Sequence, residues 1–151
     1  MATSRVVSIE DGNLGKSTIK TTISREYVDI DLSFAKKAVS GELFLKRNAA
    51  AVKQAVQTLL LTGNNEKPFQ PFYGANLNDF LFELLDKGEE QRIKEEIREA
   101  IRVYEPRVNS KNLTVKVDID PDANSMEVTT IFQIINSKEI VEVTTRLSRL
   151  R

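Results

Sequence analysis

Apolar residues are sparse at the start of the chain and become regularly spaced after about residue 27. Between residues 1 and 26, Ser, Thr, Lys and Gly predominate, which predicts an extended N-terminal arm that adds little to a core. From Tyr27 to Phe34 apolar and polar residues alternate, which predicts a half-buried strand. Its apolar face comprises Val28, Ile30, Leu32 and Phe34. We therefore expect an arm over residues 1–26 and a single domain over residues 27–151.

Three stretches in the middle of the chain repeat apolar residues with helical spacing. The first helix is expected to begin after a capping Asn48 and to run to about Thr62, with Gly63 in the left-handed position beyond its end. The second is expected to open at Asn76 and to end at Gly88. The apolar stripes are Val52, Ala55, Val56, Leu59 and Leu60 in the first helix, and Leu77, Phe80, Leu81, Leu84 and Leu85 in the second.

The third helix is expected to begin near Glu89 and to stop before Pro106, because a proline restricts the residue that precedes it. Its apolar positions are Ile93, Ile97, Ala100, Ile101 and Tyr104. The stretch over residues 63–75, which joins the first two helices, combines prolines and glycines with three aromatic residues. We expect this stretch to pack against the body of the protein, because it is too aromatic for a solvated linker.

After Pro106 the apolar spacing changes from the helical period to a period of two. Three strands are predicted, with a turn over residues 121–124 after the first and a shorter turn over residues 136–138 after the second. Their apolar sets are Leu113, Val115, Val117 and Ile119, then Met126, Val128, Thr130, Phe132 and Ile134, and finally Val141, Val143, Thr145 and Leu147. The order of one strand, three helices and a three-strand meander predicts an α+β fold with a mainly antiparallel sheet.

Composition narrows the classes of function. The 22 basic and 22 acidic residues cancel, so overall charge favours neither nucleic acid nor an anionic membrane as a partner, and proteins are the expected partners. The chain has no cysteine and no histidine, which removes thiolate chemistry, the commonest general base and the commonest metal ligands. No apolar run approaches the roughly 20 residues that span a bilayer. We therefore expect a non-enzymatic protein without a metal or cofactor.

Two stretches resemble ligand-binding loops but lack essential residues. Gly12 to Thr18 is similar to a phosphate-binding loop, yet Glu10 stands where that motif needs its first glycine, so an arm is the favoured interpretation. Asp118, Asp120 and Asp122 have the alternate spacing of a calcium loop, but the glycine and the glutamate that complete it are absent. A solvated hairpin turn is favoured there.

Two further features involve charged side chains. Asp29 and Asp31 share one face of the first strand and could form a carboxylate pair for glycoside hydrolysis, but solvated strand carboxylates are the favoured interpretation. Glu105 and Arg107 flank Pro106 at the end of the third helix, so their side chains can point into one junction. From these three residues alone, a helix stop with an incidental surface ion pair is favoured over an interface.

The order of several short motifs resembles the contractile-tail baseplate wedge family, which includes sheath-initiating phage proteins and the matching baseplate subunit of type VI secretion systems. The resembling stretches cover residues 29–34, 51–62, 67–74, 81–83 and 104–108 and the meander that follows. Their most specific elements are Pro68-Phe69, Gly74, Leu81-Phe82-Glu83 and Glu105-Pro106-Arg107. The arm before Tyr27 has no counterpart in this resemblance.

The resemblance implies a structural subunit of the virion tail baseplate, assembled in the cytoplasm of the bacterial host. It implies six copies around the tail tube, contacts with other baseplate wedge proteins, and the tube as a further candidate partner. It also implies a sheet edge that accepts strands from the tail sheath protein, and no cofactor. Glu105, Pro106 and Arg107 are then expected at the wedge interface. Val141, Val143 and Thr145 are expected at the sheath interface.

Two other functions stay open at this point. Some members of the resembling family carry a lysozyme name, which would make the chain a peptidoglycan hydrolase of the tail. A soluble adaptor unrelated to tails is the third interpretation, because a few amphipathic helices on a small sheet serve many functions.

Overall fold

Two small antiparallel sheets and three helices make up residues 26–83 and 88–149, which are the residues that the computed structural model describes. In chain order the elements are β1 (Val28–Ile30), β2 (Leu45–Arg47), α1 (Ala49–Leu61), α2 (Leu77–Phe80), α3 (Glu89–Tyr104), β3 (Thr114–Asp120), β4 (Ser125–Gln133) and β5 (Ile140–Ser148). A 3₁₀ turn, Ser110–Asn112, precedes β3. The mixed helix and strand composition is as predicted, but two strands rather than one precede the first helix.

β3, β4 and β5 form the predicted three-strand antiparallel meander, with β4 in the centre. Central register pairs are Val117 with Val128 and Thr130 with Val143, so the apolar positions of neighbouring strands lie on one face. That face is buried in all three strands. The period of two therefore predicted both the strands and their inner face correctly.

Helices α1 and α3 cover the buried face of this sheet. α3 packs on β3, α1 packs on β5, and the two helices contact each other. Their buried side chains are Ala51, Val52, Val56, Leu59 and Leu60 from α1, and Ile93, Ile97, Ala100 and Ile101 from α3. These side chains form one continuous core with the meander. Among the described residues, no helix is long and apolar enough to cross a membrane.

The ends of α1 differ from the prediction. Asn48 precedes the helix but its side chain makes no capping bond; it accepts a hydrogen bond from the Tyr27 backbone N–H at 3.3 Å instead. Thr62 ends the helix in an extended conformation, and Gly63 does not have the positive φ that was expected of it. The glycine that the fold requires is Gly74, because a Cβ there would lie 2.2 Å from the Thr62 carbonyl oxygen.

The first strand is oriented opposite to the prediction. β1 pairs with β2 to form the N-terminal hairpin (residues 28–47), and the side chains of Val28 and Ile30 lie exposed on its outer surface. The half-buried side chains are those of Tyr27, Asp29 and Asp31. Leu32 and Phe34, which follow the short strand, are exposed as well.

The connection between α1 and α2 also packs less than predicted. Ala75 is fully buried and Tyr73 is partly buried, but Phe69 and Phe72 project into solvent. α2 begins at Leu77 and is only four residues long. Leu84 and Leu85 of the predicted stripe lie outside the described residues, as does the predicted arm up to Arg25.

Candidate assembly interfaces

Glu105 and Arg107 form an ion pair at the end of α3. Arg107 Nε donates to Glu105 Oε1 at 2.6 Å and Arg107 Nη2 donates to Glu105 Oε2 at 2.7 Å, so the contact is bidentate. The Glu105 side chain is only 6% exposed, whereas that of Arg107 is 23% exposed. The prediction of an incidental surface pair was therefore wrong about the burial of Glu105.

The same arginine ties the N-terminal hairpin to the body of the protein. Arg107 Nη1 lies 3.2 Å from Asp29 Oδ2, and the guanidinium carbon lies 5.5 Å from the centre of the Tyr27 ring. The hydrogen bond to Glu105 raises the pKa of Arg107 above its usual value; burial opposes this rise and Asp29 adds to it. Arg107 is thus a permanent cation shared between one buried and one partly exposed carboxylate.

Two tyrosines complete this junction. The rings of Tyr73 and Tyr104 lie 5.1 Å apart, and Tyr104 donates its hydroxyl hydrogen to the Phe72 carbonyl oxygen at 2.7 Å. Burial raises the pKa of the Tyr73 phenol, and the Glu105 carboxylate raises it further while Arg107 opposes the change. The junction therefore joins the end of α3 to the loop that contains Phe69 and Phe72.

The outer edge of β5 is the second candidate interface. β5 is nine residues long, it pairs with β4 on one side, and no other strand of residues 26–83 and 88–149 pairs with it. Two hydrogen bonds show which residue pairs of the β4–β5 ladder are hydrogen-bonded. Arg149 N–H donates to the Asn124 carbonyl at 3.2 Å, and Ile134 N–H donates to the Glu139 carbonyl at 2.9 Å. Odd-numbered residues of β5 therefore use both main-chain groups on β4.

Even-numbered residues of β5 consequently direct their main-chain N–H and C=O groups at the free edge. These residues are Ile140, Glu142, Thr144, Arg146 and Ser148, and their side chains are exposed. Val141, Val143 and Thr145, which the sequence assigned to the sheath interface, have buried side chains in the chain's own core and bond to β4. These three residues can support the binding of a sheath strand only indirectly, by holding β5 in place.

The main-chain edge of β1 is occupied from within the chain. Gln54 of α1 donates its side-chain amide to the Ile30 carbonyl at 2.9 Å and accepts from the Leu32 N–H at 3.4 Å. One carboxamide thus replaces the peptide group of a neighbouring strand. Neither β2 nor this contact was predicted from the sequence. The turn around Gly41 (φ 69°), soon after an alternating stretch, was the signal for a second strand.

The candidate catalytic and metal-binding carboxylates have other roles. Asp29 is paired with Arg107, and the Ser33 backbone N–H, helped by Lys46, holds the pKa of Asp31 below its usual value. A glycosidase acid needs the opposite shift.

Asp120 accepts hydrogen bonds from the backbone N–H groups of Asp122 and Ala123, both at 3.1 Å, and so stabilises its own turn. No metal-binding cluster occurs in the described part of the chain, and Gly12 to Thr18 lies outside it.

Comparison with known proteins identifies the kind of assembly. A family model for baseplate wedge protein gp25 matches residues 46–138. Baseplate wedge protein gp25 of Enterobacteria phage T4 is 29% identical over 123 residues, which are 80% of this chain and 89% of that protein.

Solved structures share the fold at lower sequence identity. A chain of the anti-feeding prophage baseplate has a TM-score of 0.56 and 20% identity over 82% of this chain and 86% of its own. A chain of the post-contraction pyocin R2 baseplate has a TM-score of 0.50 and 18% identity over 82% of this chain and 100% of its own. A protein named as a tail lysozyme from Geobacter sulfurreducens has a TM-score of 0.57 and 17% identity over 66% of this chain and 89% of its own.

The family match bears on the two other interpretations that the sequence left open. An adaptor unrelated to tails is excluded, and the lysozyme name belongs to a chain whose likeness, at 17% identity, extends to the fold alone. Because the family model covers more than half of its residues, the chain belongs to the baseplate wedge protein gp25 family and is a component of a contractile-tail baseplate.

Proposed function

We propose that this baseplate wedge subunit initiates the tail sheath by accepting a strand of the sheath protein at the outer edge of β5. The observation that carries the proposal is the hydrogen-bond pattern of the β4–β5 ladder, which leaves the main-chain groups of even-numbered β5 residues without a strand partner among residues 26–83 and 88–149. An added strand gains affinity from main-chain hydrogen bonds and register from alternate side chains. Six subunits placed around the tail tube would offer six such edges to the first sheath ring.

The rest of the fold suits β5 to this role. Its inner face is anchored by Val141, Val143, Thr145 and Leu147, so the strand is held against the core while its outer edge has no strand partner in the described part of the chain. Soluble proteins usually protect a long free edge, since it invites association. A nine-residue edge without a covering strand in the described residues is therefore expected to be used in the assembled tail.

We further propose that Glu105, Pro106 and Arg107 contribute to the contact with other wedge proteins. Part of the Arg107 side chain is accessible beside the buried Glu105, so a partner carboxylate or carbonyl could share this cation. In this proposal the subunit is structural, is built into the baseplate in the bacterial cytoplasm, and has no hydrolase activity. The ion pair between Asp29 and Arg107 and the lowered pKa of Asp31 support the last point.

The β5 proposal is tested by proline substitutions at two adjacent positions of the strand. Thr144→Pro removes an N–H from the free edge, where proline is tolerated, and should leave the thermal midpoint of the isolated chain nearly unchanged. Cells that make this variant should accumulate baseplates with bare tubes, visible by electron microscopy. Val143→Pro is the matched control: it removes an N–H that bonds to β4 and should unfold the isolated chain. Normally sheathed tails on Thr144→Pro baseplates would contradict the proposal.

A further inference from the structure

Phe69 lies at the tip of the aromatic loop (residues 67–73) and is completely solvent-exposed. Its relative exposure is 102%, and that of Phe72 in the same loop is 77%. Single exposed apolar residues are common on protein surfaces and need no explanation by themselves. What distinguishes this loop is the conformation in which it holds Phe69.

Phe69 occupies a backbone position that favours a different residue. The Gln70 N–H donates to the Lys67 carbonyl at 3.2 Å, which closes a four-residue turn with Pro68 second and Phe69 third. Phe69 has a φ of 64°, the value that a type II turn requires at its third position, where glycine or asparagine is favoured. A bulky residue at this position has a conformational cost, although its ring does not pack against the core that the described residues form.

The loop around Phe69 is held in place by several hydrogen bonds. Asn65 N–H donates to the Pro71 carbonyl at 2.8 Å, and Tyr73 N–H donates to the Gln70 carbonyl at 3.0 Å. The Tyr104 hydroxyl fixes the Phe72 carbonyl, which connects the loop directly to the end of α3 beside Glu105. The two rings are therefore presented by a pre-organised loop, and little further ordering would be needed on binding.

We propose that the aromatic loop is a knob whose Phe69 ring inserts into an apolar pocket of another baseplate protein. The inference rests on the proposed placement of Glu105 to Arg107 at the wedge interface, because the Tyr104 contact makes the loop continuous with that surface. A convex, fully exposed ring requires a concave partner lined by aliphatic or aromatic side chains. Buried aromatic anchors of this kind carry a large share of binding energy at protein interfaces.

The substitution Phe69→Asn separates folding from assembly. Asparagine tolerates a positive φ better than phenylalanine, so the thermal midpoint of the isolated variant should equal or exceed that of the unchanged chain. Incorporation of the tagged variant into baseplates, in competition with untagged wild-type chain, should fall roughly tenfold or more. Val39→Asn is the control, because Val39 is equally exposed, at 101%, and lies in the connection of the N-terminal hairpin. It should be incorporated normally.

Photo-crosslinking identifies the occupant independently of the stability of any variant. With p-benzoylphenylalanine at position 69, assembled baseplates should yield an adduct with a different baseplate protein, and the same probe at position 39 should not. The knob proposal would be overturned if Phe69→Asn were incorporated as well as the wild-type chain. It would also be overturned by an adduct only with a second copy of this chain, or by no adduct. If the tagged wild-type chain itself were absent from baseplates, the placement of this subunit in the wedge would be contradicted instead. Failure of the knob proposal and failure of the wedge placement are therefore distinguishable.

Discussion

Glu105 and Arg107 meet because Pro106 turns the chain between the end of α3 and the segment that runs beside β4. The pair is unequal, since Glu105 is buried and Arg107 can still reach solvent and Asp29. The contact with Asp29 is of the exposed kind, worth about 0 to 1 kcal/mol. The contact with Glu105 matters more, because without the arginine a buried carboxylate would lose its counter-charge.

Arg107→Ala is accordingly expected to destabilise the isolated subunit by about 3 kcal/mol, measured by urea unfolding. This is a larger loss than a surface ion pair would cause. The double variant Glu105→Gln/Arg107→Met, which removes both charges, should recover much of that stability. If the double variant is stable but is not built into baseplates, the arginine has a role beyond the fold. A loss below 1 kcal/mol for Arg107→Ala would mean that Glu105 is better solvated than the structure indicates.

Thr145 offers a second residue-scale test, because its hydroxyl is buried and has no hydrogen-bond partner among the described residues. Thr145→Val replaces this hydroxyl with a methyl group and should stabilise the subunit by about 1 kcal/mol. Thr130→Val is the control, since the Thr130 hydroxyl donates to the Val143 carbonyl at 3.4 Å and loses that bond. Thermal unfolding of both variants gives the comparison, and equal shifts in the two would show that the Thr145 hydroxyl is satisfied in solution.

At the scale of elements, the N-terminal hairpin differs from the rest of the fold. None of the residues from 26 to 48 has a buried side chain. The hairpin is joined to the body by Arg107, by Gln54 and by the chain itself at Asn48, whose φ of 47° and ψ of −117° are unusual for a residue other than glycine. Such a unit is expected to open locally without unfolding of the meander.

Hydrogen exchange tests this expectation through the amides of Asp31 and Lys37, which bond within the hairpin. They should exchange faster than the central amides of β4, and Gln54→Ala should accelerate them a further tenfold or so by removing both edge contacts. The β4 amides should not change. Gln57→Ala, an exposed position of the same helix, is the matched control. Uniform acceleration across the chain would show instead that the hairpin and core unfold together.

At the scale of the whole molecule, the sequence predicted those elements whose apolar face turns inward. α1, α3 and the meander follow this rule, because each regular stripe is buried against another element. The rule failed for β1, since its apolar side chains face outward. The Glu105–Arg107 contact was foreseeable from spacing, but its burial and the role of Gln54 depend on residues distant in sequence and were not.

The alternation along β5 places two different selective pressures on one strand. Substitutions at Val141, Val143 and Thr145 change the packing of this subunit's own core, whereas, if the proposed sheath contact is correct, substitutions at Glu142, Thr144 and Arg146 change the contact with the sheath protein. Across related tails, the first set should covary with residues of α1 and β4 within the same chain. The second set should covary with residues of the sheath protein, which another gene encodes. Exchanging this subunit between particle types should then succeed only when the alternate residues of β5 are exchanged as well, to match the recipient sheath.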